Sequence, residues 1–149
     1  MAKVLIVYGS ETGNTKAAAD MIAETLMAAG HTVTVRDVLD TTIAALSEPF
    51  DLYLLGVSTW GAVVDEVTED YKSFHEAMKT ADLTGRKLAV FGCGDKGYEN
   101  FCKAVDYAAE RARSRGATLV AERLKIDLDP RKSADVIRAW AQNLTGMLA

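Results

Sequence analysis

Lys3-Val4-Leu5-Ile6-Val7-Tyr8-Gly9-Ser10-Glu11-Thr12-Gly13-Asn14-Thr15-Lys16 is the stretch that decides the fold. Lys3 to Tyr8 is short, nearly all apolar and rich in β-branched residues, the pattern of a parallel strand covered on both faces. Gly9 ends it. From Asn14 the period changes: Ala18, Met21, Ile22, Thr25, Leu26 and Ala29 recur at helical spacing, and Gly30 follows as a stop signal. A strand that passes through a polar, glycine-bounded loop into a helix is the first half of a strand-helix-strand unit.

The same texture repeats outward. Asp51 to Ser58, Lys87 to Cys93 and Thr118 to Ile126 are short apolar runs with glycine or β-branched residues, and read as strands. His31 to Arg36 alternates polar and apolar residues, which suits an edge strand. Helical patterns lie between: Glu69 to Thr80 with Tyr71, Phe74, Ala77 and Met78 inward, and Glu99 to Arg115 with Phe101, Cys102, Val105 and Ala109 inward. A last one runs from Lys132 to Leu148 with Ala134, Ile137, Ala141, Leu144 and Leu148 on one stripe. This alternation predicts an α/β, doubly wound five-stranded parallel sheet with helices on both faces, as one domain over residues 1–149.

Composition agrees with that class. At 149 residues, 49% hydrophobic with two prolines and two cysteines, the chain is neither disordered, collagen-like nor a disulfide scaffold. The net charge of −4 is unevenly spread: residues 1–75 hold 4 Lys/Arg against 11 Asp/Glu, and residues 76–149 hold 13 against 10. With no dense basic run, nucleic acid and anionic membranes are poor partners. The apolar run Val4 to Tyr8 is too short for a signal-peptide core and no stretch reaches membrane-span length, so the expected location is the cytoplasm. Cys93 and Cys102 are then reduced thiols. Their separation of nine fits neither a redox pair nor a zinc site, and no metal is expected.

In a doubly wound sheet the ligand sits beyond the carboxyl ends of the strands, where the strand order reverses. The loops after the first, third and fourth strands therefore carry function. The first offers the hydroxyls of Ser10, Thr12 and Thr15, the Asn14 amide and backbone N–H groups at a helix start, where the dipole favours an anion. A helix cap accounts for part of this, but three hydroxyls in six positions exceed what a cap requires. The glycine spacing matches neither a nucleoside-triphosphate loop nor a dinucleotide fingerprint. The second loop, Ser58-Thr59-Trp60-Gly61-Ala62-Val63, places a tryptophan where it must pack on something, either the core or a ligand. Gly61 leaves its peptide with the following residue two orientations. The third, Cys93-Gly94-Asp95-Lys96-Gly97-Tyr98-Glu99-Asn100-Phe101-Cys102, adds a second aromatic at the same edge. Two such rings above a phosphate loop suit a flat ring system, adenine or flavin.

The Gly-Ser-x-Thr-Gly-Asn-Thr loop, Ser-Thr-Trp-Gly and Cys-Gly-Asp-x-x-Tyr-x-x-Phe-Cys, taken together and in register, resemble the short-chain flavodoxins, especially those of sulfate-reducing bacteria. The likeness runs over essentially the whole chain, and the last strand lacks the insertion of long-chain members. The resemblance implies a flavodoxin-like strand order of 2-1-3-4-5 and non-covalent FMN. It places the phosphate on Ser10, Glu11, Thr12, Gly13, Asn14 and Thr15, helped by Ser58 and the Trp60 indole N–H, with Asn14 and the Thr59 backbone serving the ribityl chain. It places the ring between Trp60 and Tyr98, the Gly61 and Ala62 backbone at its N5/O4 edge, and Asp95, Asn100 and Cys102 at its pyrimidine end; Cys93, Gly94 and Phe101 complete the set. The implied activity is low-potential one-electron transfer between neutral semiquinone and anionic hydroquinone, by a carrier rather than an enzyme. The implied partners are redox proteins with basic surfaces docking at the exposed flavin edge of a monomer.

Two other readings share the fold: an FMN-dependent NAD(P)H or quinone reductase, and a flavin-free binding module. No additional nicotinamide motif is present, and intact Ser10 to Thr15, Trp60 and Tyr98 argue against the second. The chain departs from many relatives at Ala62 and Val63, which are often acidic there, and at Lys96, often small and polar. These changes make the flavin surround less negative. Asp65, Glu66, Glu69, Asp70, Asp95 and Glu99 remain nearby in sequence, as solvated charge or as a rim for a basic partner.

Overall fold

The computed structural model describes residues 2–9, 14–58, 74–94, 103–127 and 129–148. Strands β1 (Lys3–Tyr8), β2 (Thr32–Asp37), β3 (Leu52–Ser58), β4 (Lys87–Gly94), β5 (Thr118–Leu119) and β6 (Leu124–Asp127) form one parallel sheet in the order β2-β1-β3-β4-β5, with β6 also on β4. The expected order is present, with β2 at the edge. Helices α1 (Asn14–Ala28), α3 (Lys103–Ser114) and α4 (Ala134–Leu148) cover it, and a helical segment α2 (residues 74–77) runs into a 3-10 turn at Met78–Thr80.

Strand alternation divides the core between the two faces. Val4, Ile6, Leu52, Leu54, Ala89 and Phe91 pack under α1 and α4 with Ile22, Leu26, Ile137 and Leu144. Leu5, Val7, Tyr53, Leu55, Leu88 and Val90 pack under α3 and α2 with Val105, Ala109, Phe74 and Met78. Full burial of both faces explains why β1, β3 and β4 are continuously apolar. Two glycines allow the layers to close. A Cβ at Gly56 would lie 2.5 Å from Phe91 Cζ, and one at Gly92 would lie 2.0 Å from the Val57 oxygen and 2.6 Å from Val105 Cγ2.

Three details differ from the sequence expectation. The fifth strand is broken, because Leu119 lies opposite Leu88 and Leu124 opposite Phe91, so residues 120–123 face only residues 89–90. This two-residue bulge turns the Glu122 carbonyl outward to accept from Trp140 Nε1 of α4 at 2.8 Å. The buried stripe of α1 is Thr15, Ala18, Ala19, Ile22, Ala23 and Leu26, so Ala19 and Ala23 take the place expected of Met21, Thr25 and Ala29. His75 is buried beside Phe74 at 8% exposure. Tyr71, Phe101 and Cys102, expected to face inward, lie outside the described residues. Among the described residues no helix is long and apolar enough to cross a membrane.

Candidate functional site

The register aligns the strand ends on one edge. Tyr8 pairs with Gly56, Ser58 with Cys93, and Gly94 with Asp127, and Gly9 N–H continues the ladder to the Gly56 carbonyl at 2.9 Å. From β1 the chain moves through α1 to β2 on one side, then crosses to β3 on the other. The order therefore reverses between β1 and β3, and the crevice of a doubly wound sheet opens at their carboxyl ends. The N-terminus of α1 stands beside that crevice.

Of the expected ligand residues, the fold brings Asn14, Thr15, Ser58, Cys93 and Gly94 to this edge. Ser10, Glu11, Thr12, Gly13, Thr59, Trp60, Gly61, Ala62, Asp95, Tyr98, Asn100, Phe101 and Cys102 lie outside the described residues, as do Val63, Asp65, Glu66, Glu69, Asp70, Lys96 and Glu99. The segments that hold them begin where β1, β3 and β4 end.

The donor set suits an anion. The first turn of α1 carries no acidic side chain, and the helix dipole there favours an anion. Lys16 leans along the helix to Asp20 at 3.2 Å. Thr15 is fully buried and hydrogen-bonded to Cys93. Burial pushes the Cys93 thiol up to about 12, the Thr15 hydrogen bond pulls it the other way, and the Asp129 charge adds to the rise. Cys93 is therefore a neutral thiol at any ordinary pH, 4% exposed in the core cluster beneath α1.

Charge gathers on the β2 side of the edge. Burial first, then Asp37, raises the Tyr8 phenol, with Asp20 and Asp40 adding and Lys16 opposing. On the opposite side α3 is held to β6 by Arg123 and Lys125, which reach Asp106 in its first turn at 2.9 and 2.8 Å. Neither the Tyr8 cluster nor the pairing of Thr15 with Cys93 is expected at the site from sequence. The pair had a signal: Cys93 shares parity with Ala89 and Phe91 and so faces the α1 side of the sheet.

A model of the flavodoxin family matches residues 6–140. The chain is 41% identical over 144 residues to a flavodoxin of Maridesulfovibrio salexigens, covering 97% of each. It is 44% identical over 141 residues to a flavodoxin of Nitratidesulfovibrio vulgaris (strain Miyazaki F), covering 95% of each. The crystal structure of oxidised flavodoxin 2 from Bacillus cereus superposes with a TM-score of 0.91 at 38% identity, over 98% of this chain and 99% of that one. Because the family model spans nearly the whole chain and the two relatives are matched over 95% or more of their own length as well as of this chain, which leaves no room for a long insertion, the chain belongs to the flavodoxin family, in its short-chain form.

Proposed function

We propose that this flavodoxin is a free-standing, low-potential one-electron carrier with non-covalent FMN, formed by a single domain over residues 1–149. The observation that carries the reading is the N-terminus of α1 at the reversal point between β1 and β3, with no acidic side chain in its first turn. That position supports a terminal phosphate held by neutral donors, and the family supports FMN. Ser10, Glu11, Thr12, Gly13, Asn14 and Thr15 would hold the phosphate, with Ser58 and Trp60. Thr59 would serve the ribityl chain with Asn14, and Trp60 and Tyr98 would flank the ring. Gly61 and Ala62 would meet one ring edge, and Asp95, Asn100 and Cys102 the other, with Cys93, Gly94 and Phe101 in support.

When bound, FMN supplies the one-electron chemistry, and the protein adjusts its electronics. The main-chain N–H groups at the α1 N-terminus donate to the phosphate, and the helix dipole favours its charge. Gly61, lacking a side chain, would allow its carbonyl to be turned toward one edge of the ring. Trp60 and Tyr98 would exclude water from the ring and disfavour extra negative charge there, which lowers the potential of the group they hold. Nothing in this scheme requires a catalytic acid, base or nucleophile, so the protein is a carrier rather than an enzyme with its own substrate. It works in the cytoplasm as a monomer, passing electrons to partners whose basic surfaces would meet Asp65, Glu66, Glu69, Asp70, Asp95 and Glu99.

Anaerobic mixing of the purified yellow protein with NADPH, with and without a flavoprotein reductase, tests this. Reduction only when the reductase is present is expected. Rapid reduction by NADPH alone would make the protein a reductase, and failure to take up FMN would make it a flavin-free module.

A further inference from the structure

β2 is the outer strand of the sheet, and only its β1 side is paired. The Thr32 N–H donates to the Ala2 carbonyl at 2.9 Å, and the register with β1 then runs unbroken from Thr32 to Asp37. Main-chain groups alternate between the two sides of a strand. Thr32, Thr34 and Arg36 therefore bond to β1, while the N–H and C=O groups of Val33 and Val35 point away from the sheet. No proline, lysine or bulge interrupts this edge, the usual devices that keep another strand off it. Its side chains alternate as well: Val33 packs on the α1 layer, and Val35 and Asp37 share its face. Three of the large apolar residues exposed among the described residues border this strand. Met27, 51% exposed, lies in the last turn of α1, where its carbonyl accepts from Gly30 N–H as the chain turns toward β2. Val35 is 36% exposed, and Leu39, in the 3-10 turn Val38–Asp40 that follows the strand, is 70% exposed.

The charge along this edge is negative. Its cations are engaged, Lys16 with Asp20 at 3.2 Å and Arg36 with Glu48 at 2.6 Å. Asp37 accepts from Leu39 N–H at 2.9 Å, and neither Asp37 nor Asp40 forms an ion pair among the described residues. We propose that the outer edge of β2 is a docking site for an extended segment of a partner protein. The segment adds a strand antiparallel to β2, the more stable pairing, with apolar residues opposite Val33 and Val35 and basic residues against Asp37 and Asp40. Main-chain hydrogen bonds to Val33 and Val35 supply affinity, and the order apolar, apolar, basic on one face supplies specificity. A second copy of this chain fits less well. Two β2 edges paired antiparallel set like faces opposite each other, and the face that carries Asp37 otherwise holds His31, Val33 and Val35, with no Lys or Arg. His31 has nothing to offer an Asp37 carboxylate, because its Nδ1 accepts from Ala2 N–H at 3.1 Å and its Nε2 is buried. The edge lies outside the crevice between β1 and β3, so this inference does not depend on the FMN reading.

The test is an NMR titration of the full-length, isotope-labelled protein with an end-capped peptide that carries lysine, lysine, valine and valine in turn on one face and threonine on the other. The amides of Val33 and Val35 are expected to shift and to become protected from hydrogen exchange, with a Kd below about 1 mM. N-methylation of the two peptide valines removes the donors that meet β2 and is expected to weaken binding at least about ten-fold. Glutamate in place of the two lysines is expected to weaken it about five-fold at low salt. In the protein, Val35→Lys should weaken the unmodified peptide about ten-fold, and the two altered peptides give the same answer with the protein untouched. The proposal is overturned if the Val33 and Val35 amides do not respond at about 1 mM peptide, or if the N-methylated or the glutamate peptide binds as well as the original. Concentration-dependent pairing of the protein alone, with the same amides protected, would assign the edge to a second copy and overturn it as well.

Discussion

Lowering the pH from about 7 to about 4.5 should remove stability from this protein through His75. The imidazole lies between α2 and α3 at 8% exposure, and the Arg111 guanidinium donates to the His75 carbonyl at 3.0 Å. Burial is the first cause that lowers it, from 6.5 to about 4, and Arg111 the second; Lys79 adds to the fall while Glu76 opposes it. As pH falls through 6.5 the unfolded chain binds a proton that the folded chain refuses until about 4. The unfolded state therefore gains, and the contribution of neutral His75 is complete above 6.5 and lost progressively down to 4. At about 1.36 kcal/mol per pH unit the ceiling is about 3 kcal/mol, and water reaching the ring reduces the expected loss to about 2 kcal/mol. Urea unfolding of wild type and His75→Gln at the two pH values isolates the effect, because glutamine does not titrate and the carboxylates are common to both. The gap between the two proteins should shift against wild type by that amount as pH falls. Parallel pH profiles, or an imidazole that titrates by NMR near 6.5, would refute the reasoning.

Gly92→Ala should cost at least about 3 kcal/mol in urea unfolding, since its Cβ would lie 2.0 Å from the Val57 oxygen and 2.6 Å from Val105, and β3 and α3 would have to give way; a loss below about 1 kcal/mol would mean that the layers are loosely packed there. Replacing Ala62 with Asp and Lys96 with Ser should lower the potential of the second one-electron step, by roughly 20 to 70 mV per unit charge at about 10 Å. A redox titration showing no shift, or a rise, would count against a flavin surround made less negative in this chain. Electron transfer to a cationic partner should slow several-fold between low and physiological salt if Asp65, Glu66, Glu69 and Asp70 guide docking, and a flat salt profile in stopped-flow kinetics would remove them from the interface.

The parts legible in the sequence are those set by short-range pattern. β1 spans Lys3–Tyr8, where the apolar run and Gly9 place it, and β2 is the edge strand its alternation implies. The sheet edge that holds the expected ligand residues follows from the topology, because a doubly wound sheet dictates which loops converge, and Asn14, Thr15, Ser58, Cys93 and Gly94 lie at the strand ends and helix start of that edge. What was not legible depends on partners far along the chain. The break in the fifth strand exists because residues 120–123 must span two positions of β4 while Trp140 takes up the Glu122 carbonyl, and nothing local announces either constraint. Ala19 and Ala23 carry little hydrophobic signal, yet their small size is what lets α1 lie on the sheet, so the stripe was read one step around the helix. Thr15 looked like a phosphate ligand and nothing more, and its second partner emerges only when β4 is placed beneath α1.

As a flavodoxin, this chain carries electrons one at a time on FMN. Anaerobic photoreduction of the purified yellow protein, followed across the visible spectrum, tests it most directly. A long-wavelength band of half-reduced, protonated flavin should rise early and decay only as full reduction proceeds, giving two well-separated steps. Direct bleaching from oxidised to fully reduced flavin, with no such band at any stage, would contradict it.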